Sequence, residues 1–356
     1  MGRHGRAWES GGVDVGVDSF AAVVTDPETG AVVESEQRMA HLLEEIELAD
    51  RVGLASYGIG EHHRVEYYDA APAVILAAAA ARTSQIRLRS AVTVLSAADP
   101  VRVFQQFATL DLLSGGRIDL VVGRGSFTEA FPLFGLDLAD YDELFAEKLD
   151  LLLRLREGTE VTWSGRHRPP LVRQRVYPRP VQDPLPVWVG VGGTPESFVR
   201  AGLLGLPLMV AIIGGEPRQF APLIDLYRRA GAEAGHAPET MRVGLHCFGF
   251  LGDDVEQATS AFYPGWSAMF TQVSRERGFP PPTRRQFDAT RGPDGAFFVG
   301  DPETVAAKCL RVSEQLGGIE RINLQMTNPR LRHADLLHSI ELLGTGVVPL
   351  VKAAAP

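Results

Sequence analysis

The run Gly60-Glu61-His62-His63-Arg64 sets a carboxylate, two imidazoles and a guanidinium side by side. It follows an apolar stretch, Leu54 to Ile59, with the composition of a strand, so these groups stand where a strand gives way to a loop. Imidazole exchanges protons near neutral pH, and the chemistry on offer is acid–base work or a hydrogen bond to a reacting oxygen. If the extended backbone continues through 61–63, successive side chains alternate faces. Only one histidine can then point along the axis of the fold. A histidine merely hydrogen-bonded in the rim explains the same residues, and spacing favours neither reading. Consecutive residues are poor co-ligands for one metal, and no His-Glu-x-x-His occurs, so no metal site is expected.

Two further strand ends carry candidate groups. Ile118 to Val122 runs into Gly123-Arg124-Gly125-Ser126, where small neighbours let a phosphate approach and a guanidinium can grip it bidentately. An ordinary surface ion pair explains Arg124 as well. Pro186 to Val191 runs into Gly192-Gly193-Thr194-Pro195, a glycine turn leading to a helix that Thr194 can cap. A helix start of this kind offers free N–H groups to an anion. A well-capped helix accounts for Thr194 and Pro195 but not for two glycines. Neither glycine run completes a dinucleotide fingerprint, and no P-loop is present. Ser90-Ala91-Val92-Thr93, inside another strand, is small enough to let a flat ring lie on backbone or simply to form a small-residue core layer.

The elements that must position these groups alternate along the chain. Strands are predicted over 13–20, 54–60, 86–95, 118–123, 186–191, 206–213, 242–251 and 319–326. Helices are predicted over 36–52, 70–82, from Asp99-Pro100, to Arg156, 195–204, 217–234, from Asp301-Pro302, and 334–343. Asp140 with Glu143, and Asp253 with Glu256, have capping-box spacing. Two stretches lack periodicity. Residues 158–185 read as an Arg- and Pro-rich excursion with a short hairpin at Val161-Thr162-Trp163. Residues 263–298, with Pro280-Pro281-Pro282, read as a loop-rich insertion of the kind that makes lids. Eight strands with interleaved helices predict an α/β fold, a (β/α)8 TIM barrel with insertions, over residues 13–350. Residues 1–12, polar and glycine-rich, are expected to be a disordered leader.

Composition narrows the partners. A net charge of -9 with no Lys/Arg block argues against nucleic acid. Ala70 to Ala81 is apolar but too short to span a bilayer, so no membrane is expected. Two widely separated cysteines, Cys247 and Cys309, have neither metal nor redox spacing and predict buried thiols in a reducing cytoplasm. Trp188 and the pair Phe104/Phe107 are expected in the core.

The chain resembles the bacterial-luciferase-like flavin-dependent monooxygenases over about Val13 to Leu350. The segments that carry the resemblance are Gly60-Glu61-His62-His63, Ser90 to Leu95, Asp99-Pro100-Val101-Arg102, Asp111 to Arg117, Gly123-Arg124-Gly125, Gly205-Leu206-Pro207 and Val299 to Val305. Their order and spacing together are specific. The resemblance implies FMN held non-covalently at the carboxyl ends of the strands, with a non-proline cis peptide at Ala91-Val92 beneath its ring. It implies Arg124, Gly192, Gly193 and Thr194 on the phosphate and His62 in the active site. There are departures. Gly123 stands where luciferase has a reactive cysteine, Ile212 where a tryptophan lies against the flavin, and Asp142 roughly where another arginine approaches the phosphate.

The expected function is that of a two-component FMN-dependent monooxygenase. Reduced flavin and O2 would oxygenate a small organic substrate, with a separate NAD(P)H-dependent flavin reductase as partner and a homodimer as the assembly. A deazaflavin-dependent hydride-transfer oxidoreductase and a non-catalytic flavin-binding protein are the alternatives, separated by the preferred cofactor and by substrate-coupled oxygen consumption.

Overall fold

The structure is a computed structural model and describes residues 12–354. The leader expected over 1–12 therefore lies outside the described residues, Gly12 excepted. Twelve strands are formed among the described residues: β1 (Asp14–Ser19), β2 (Ser56–Ile59), β3 (Arg87–Ser90), β4 (Thr93–Val94), β5 (Ile118–Gly123), β6 (Glu160–Trp163), β7 (Leu171–Arg175), β8 (Val187–Val191), β9 (Leu208–Ala211), β10 (Val243–Leu251), β11 (Phe298–Gly300) and β12 (Arg321–Gln325). The helices are α1 (Ser35–Arg51), α2 (Pro72–Ala80), α3 (Pro100–Ser114), α4 (Ala130–Leu133), α5 (Tyr141–Glu157), α6 (Pro195–Leu203), α7 (Ala221–Glu233), α8 (Val255–Arg277), α9 (Arg284–Arg291), α10 (Pro302–Gln315), α11 (His333–Leu342) and α12 (Val348–Ala353).

Eight parallel strands pair in the order β1-β2-β3-β5-β8-β9-β10-β12, and β12 returns to β1, so the sheet closes. This is the (β/α)8 barrel expected from the alternation. The outer face of the strands is apolar and packs on the helices, with Phe104, Phe107, Ile212 and Tyr227 among the buried residues. The inner face is largely polar. Asp18, Arg89, Asp119, Arg321, Asn323 and Gln325 are all buried, and they recur at every second position because strand side chains alternate faces. Trp188 is fully buried too, but on the axis, beside Val121 and Met209, with the guanidinium carbons of Arg321 and Arg242 4.5 and 4.9 Å from its ring. The stretch His333–Ala353 is long and apolar enough to cross a membrane by length and composition, with a mean hydropathy of 1.3. Here it packs on α1, α10 and β10 as an outer helix of the barrel.

Three local expectations are corrected. The strand predicted over 86–95 is two strands, β3 and β4, separated at the cis peptide Ala91-Val92. The caps shift. Asp140 ends a 3-10 turn that runs straight into α5, and in that near-helical conformation its side chain caps nothing. Asp253 gives its carboxylate to His338 (2.7 Å), and the extended Asp254 caps α8 by accepting the Gln257 N–H. The expected loop over 263–298 is mostly helical, α8 and α9, and Pro280 to Pro282 only link them. Helix α8 continues through Pro264, which costs an interior helix about 3 kcal/mol. Offsetting packing follows the proline: Gly265 lies flush on Asn328, and the Trp266 ring packs, tilted or edge-on, with centroids 5.0–5.4 Å from those of Phe270, Phe287 and Phe297. The excursion from 158 does hold a hairpin, β6 against β7.

The Val92 side chain fills the top of the barrel. A Cβ at Gly123 would lie 2.7 Å from its Cγ2, and one at Gly190 would lie 2.7 Å from its Cγ1. Glycine at 123 thus makes room for Val92. We expect Gly123→Ala to cost about 1–3 kcal/mol through overpacking, measured as a lowered denaturation midpoint. A double-mutant cycle with Val92→Ala should show a favourable coupling between the two changes. An unchanged midpoint in Gly123→Ala would mean that Val92 does not occupy that space.

Candidate active site

The mouth at the carboxyl ends of the strands is built around His62. Its Nδ1 lies 2.9 Å from Oδ2 of Asp69, and its backbone N–H donates to Oδ1 of the same carboxylate at 3.1 Å. Asp69 is fully buried. Burial pushes its carboxyl above the ordinary value of 3.8, against the downward pull of the His62 hydrogen bond. A carboxylate on Nδ1 fixes the ring's orientation and leaves Nε2 as the working nitrogen. The ring is clasped by Phe20 (4.6 Å), Tyr67 (4.5 Å) and Phe127 (5.5 Å), and its side chain is 11% exposed. Burial, aided by Asp69, pushes the Tyr67 phenol up to about 12, so that hydroxyl keeps its proton at neutral pH.

The neighbours of His62 hold the loop. His63 turns the other way, to Glu61 at 3.2 Å and onto Phe134, as the alternation of faces requires. The other oxygen of Glu61 accepts the N–H of Val94, fastening this loop to β4. Arg64 donates to Glu66, Glu129 (2.6 Å) and Glu276 (2.6 Å) and covers the Phe127 ring. Helix α8 is thereby drawn over one side of the mouth.

A second imidazole lies on the far side of Phe20. His246, in β10, places Nδ1 2.6 Å from Oδ2 of Asp18 in β1, and its ring stacks on Phe20 at 5.6 Å with planes 17° apart. Asp18 also accepts both bonds of a buried Arg89 guanidinium nitrogen, at 2.6 and 2.8 Å. Burial pushes the Asp18 carboxyl up, but Arg89 and His246 outweigh it and hold the group below the ordinary carboxylate value.

The opposite side of the mouth is suited to an anion. Arg124 pairs with Asp142 and reaches Ser197 Oγ, in the first turn of α6, at 3.4 Å. Its guanidinium also sits over the Tyr141 ring, whose hydroxyl is tied to the Gly125 carbonyl. Gly192 and Gly193 are exposed, and a Cβ at either would meet nothing within 4 Å. Thr194 occupies the cap position of α6 without making the side-chain capping bond expected of it. In the first turn of α6 Pro195 has no N–H and the Ser197 N–H donates to the Thr194 carbonyl at 3.0 Å, so Glu196 offers the open N–H there. A cationic fork, a hydroxyl, an open backbone N–H and room over two glycines fit a phosphate.

The structure places His62, Ala91, Val92, Gly123, Arg124, Gly192, Gly193 and Thr194 at the carboxyl ends of the neighbouring strands β2, β3, β5 and β8. It does not bring the Ile212 side chain there. The Ile212 N–H continues the ladder to the His246 carbonyl, and the side chain is fully buried on the outer face, while Ala211 faces the axis. Gly123 makes room for Val92 rather than for a ligand. Asp18, Phe20, Asp69, Arg89, Ser197 and His246 were not anticipated. The available signal was charge inside strands: a parallel strand covered by helices normally reads as continuous apolar residues, and Asp18, Arg89 and His246 break that rule. Asp140, Glu143 and His167 bring ligand-type atoms within 4.8 Å of one another, but Glu143 is also paired with Arg166.

The luciferase-like monooxygenase family model matches residues 19–319. The 4-hydroxyprotoasukamycin monooxygenase of Streptomyces nodosus subsp. asukaensis is 30% identical over 326 residues, 86% of this chain and 85% of that protein. Protein y4wF of Sinorhizobium fredii is 32% identical over 157 residues, 42% of this chain, a match spanning 44% of that protein's length. Among solved structures, monooxygenase RslO1 of Streptomyces bottropensis superposes with a TM-score of 0.80 at 25% identity, covering 95% of this chain and 99% of that one. Two others share the fold. One is the oxygenating constituent of 3,6-diketocamphane monooxygenase from Pseudomonas putida in complex with FMN (TM-score 0.75, 18% identity, 95% and 98% coverage). The other is an F420-dependent secondary alcohol dehydrogenase (0.73, 21%, 96% and 99%).

Asp69 should prove to be the anchor of the histidine loop. In Asp69→Ala we expect the His62 amide to exchange with deuterated solvent roughly tenfold faster or more, the equivalent of losing a charged hydrogen bond of ~1.5–3 kcal/mol. Unchanged protection at that amide would remove the carboxylate from this role.

Proposed function

The chain belongs to the luciferase-like monooxygenases, and from that premise we propose that it is an FMN-dependent monooxygenase of the two-component type, acting on a small organic substrate. The observation that carries the FMN reading is the meeting of Arg124, Ser197 and the open start of α6 at one side of a mouth whose other side holds His62. A phosphate at the first and a reacting ring centre near the second would match a phosphorylated tricycle laid across the strand ends. The monooxygenase names of the full-length relative and of RslO1 support oxygen chemistry, which favours FMN over a deazaflavin.

When bound and reduced, the flavin supplies the electrons that activate O2. The chain's own groups do the rest. Arg124, Ser197 Oγ and the open backbone at the start of α6 would hold the phosphate. Ala91 and Val92, with room kept for Val92 by Gly123 and Gly190, would form the floor beneath the ring. Phe20, Tyr67 and Phe127 exclude water around the His62 ring. His62, held by Asp69, exchanges a proton through Nε2. The proposal includes a separate NAD(P)H-dependent flavin reductase, since the sequence carries no nicotinamide fingerprint. It also includes a homodimer and a cytoplasmic setting, with which the buried free thiols Cys247 and Cys309 are compatible.

The deazaflavin reading remains the second one because an F420-dependent enzyme shares the fold. Anaerobic titration with FMN and with F420, followed by oxygen, separates the two: preference for F420 without oxygen consumption overturns the FMN proposal. Arg124→Ala should weaken FMN binding roughly 10- to 150-fold, the loss of a charge-assisted hydrogen bond of ~1.5–3 kcal/mol; equal affinity in a fluorescence titration would take Arg124 off the phosphate. His62→Ala should keep FMN affinity and lose about 10²–10⁴-fold in turnover, the range for a proton-transfer residue. Full turnover in that variant would restrict His62 to a structural part.

A further inference from the structure

Phe20 stands between two imidazoles of the same design. His62 on Asp69 and His246 on Asp18 each have Nδ1 against a fully buried carboxylate, and both rings pack on Phe20, at 4.6 and 5.6 Å. Both side chains are 11% exposed, so each has an edge in the opening while its carboxylate is sealed behind it. Among the described residues no protein group is hydrogen-bonded to Nε2 of His246.

The second pair is not needed to satisfy its carboxylate. Arg89 already donates to both oxygens of Asp18, and Arg89 and Asp18 are fully buried. Their charges cancel, so the imidazole rests against a neutral pair. Among the described residues Asp18 is the one charged group paired with it. Its partners in register, Ala211 of β9 and Asn323 of β12, are uncharged. Gln325 farther along β12 is neutral, Phe20 covers one face of the ring, and His62 lies beyond Phe20. With Nδ1 engaged by the carboxylate, Nε2 is the nitrogen left for proton transfer.

We propose that His246 is a second catalytic proton-transfer residue of this mouth, positioned by Asp18 and Arg89 and acting across Phe20 from His62. The proposal rests on the flavin reading above. A reaction that needs only FMN and O2 exposes the role. When bound reduced FMN is reoxidised, two electrons pass from the flavin to O2. The reduced flavin anion releases one proton, and H2O2 requires two. The imidazolium of His246 delivers the other: its Nε2–H bond breaks, an O–H bond forms, and the ring is left neutral on Asp18.

The test is stopped-flow reoxidation of FMN, reduced and bound to the full chain, across pH, for the wild type and for His246→Asn and His246→Gln. We expect both variants to bind FMN as the wild type does. Reoxidation should slow roughly a hundredfold, the lower end for a proton-transfer group, the limb of the pH profile assigned to this residue should vanish, and added imidazole should restore part of the rate. In ¹⁵N spectra of the wild-type histidines, His246 should be the Nδ1–H tautomer when neutral and should respond to FMN. That measurement decides the matter if the variants do not fold. Unaltered rates and pH profiles in variants that bind FMN, or an Nε2–H tautomer in the wild type, overturn the proposal and leave the flavin reading standing. Failure of the wild type to bind FMN overturns the flavin reading and this proposal with it.

Discussion

The ion pair between Asp18 and Arg89 is the constraint on which the rest of the mouth depends. Both side chains are fully buried in a closed barrel, where an isolated charge would cost several kcal/mol. Each is present because the other is. Such a pair is weak evidence for stability, and its value here is positional. It fixes a carboxylate beneath the opening, and that carboxylate orients His246. A second charged layer, Asp119 with Arg87 and Arg321, lies deeper, with Trp188 covered by guanidinium groups. The barrel interior combines these ion pairs with a small apolar cluster of Trp188, Val121 and Met209, and most of the apolar packing lies on the outer face.

Above that filling, the mouth divides into two chemically different halves. One half is aromatic and titratable: His62, Phe20, His246, Tyr67 and Phe127 touch in a continuous wall. The other is cationic and open, with Arg124 against the start of α6. The floor between them is a packing problem solved by subtraction. Val92 fits only because residues 123 and 190 have no side chains, and the Asp18 carboxylate lies where a Cβ at Gly58 would be. The departure at Gly123, where a cysteine occurs in luciferase, has a steric reason in this chain. A side chain there would displace Val92.

The β–α alternation was legible because period-2 and period-3.6 patterns are local, and the strand ends at 60, 123 and 191 followed from it. The errors have physical reasons. Residues 263–298 read as a loop-rich insertion, but aromatic packing by Trp266 and the close seat of Gly265 on Asn328 let helix α8 run on past Pro264 despite the missing hydrogen bond. Asp140 and Asp253 had the spacing of caps, yet capping depends on the backbone angle at that residue, which the preceding turn or a competing partner decides. Ile212 was assigned to the mouth by alignment with a tryptophan, and one step of strand alternation moved it to the core.

The sequence by itself determined the barrel, the three strand ends that carry Arg124, the two glycines and His62, and the likeness to a flavin-dependent family. Those depend on local periodicity and on contiguous motifs. Only the tertiary structure decided which carboxylates serve which histidines. Asp69 returns to His62 from the end of its own loop, and Asp18 reaches His246 from a strand 228 positions away in the chain. Barrel closure alone makes β1 and β10 share an interior, and no pattern along one chain reports which inward side chains will meet there.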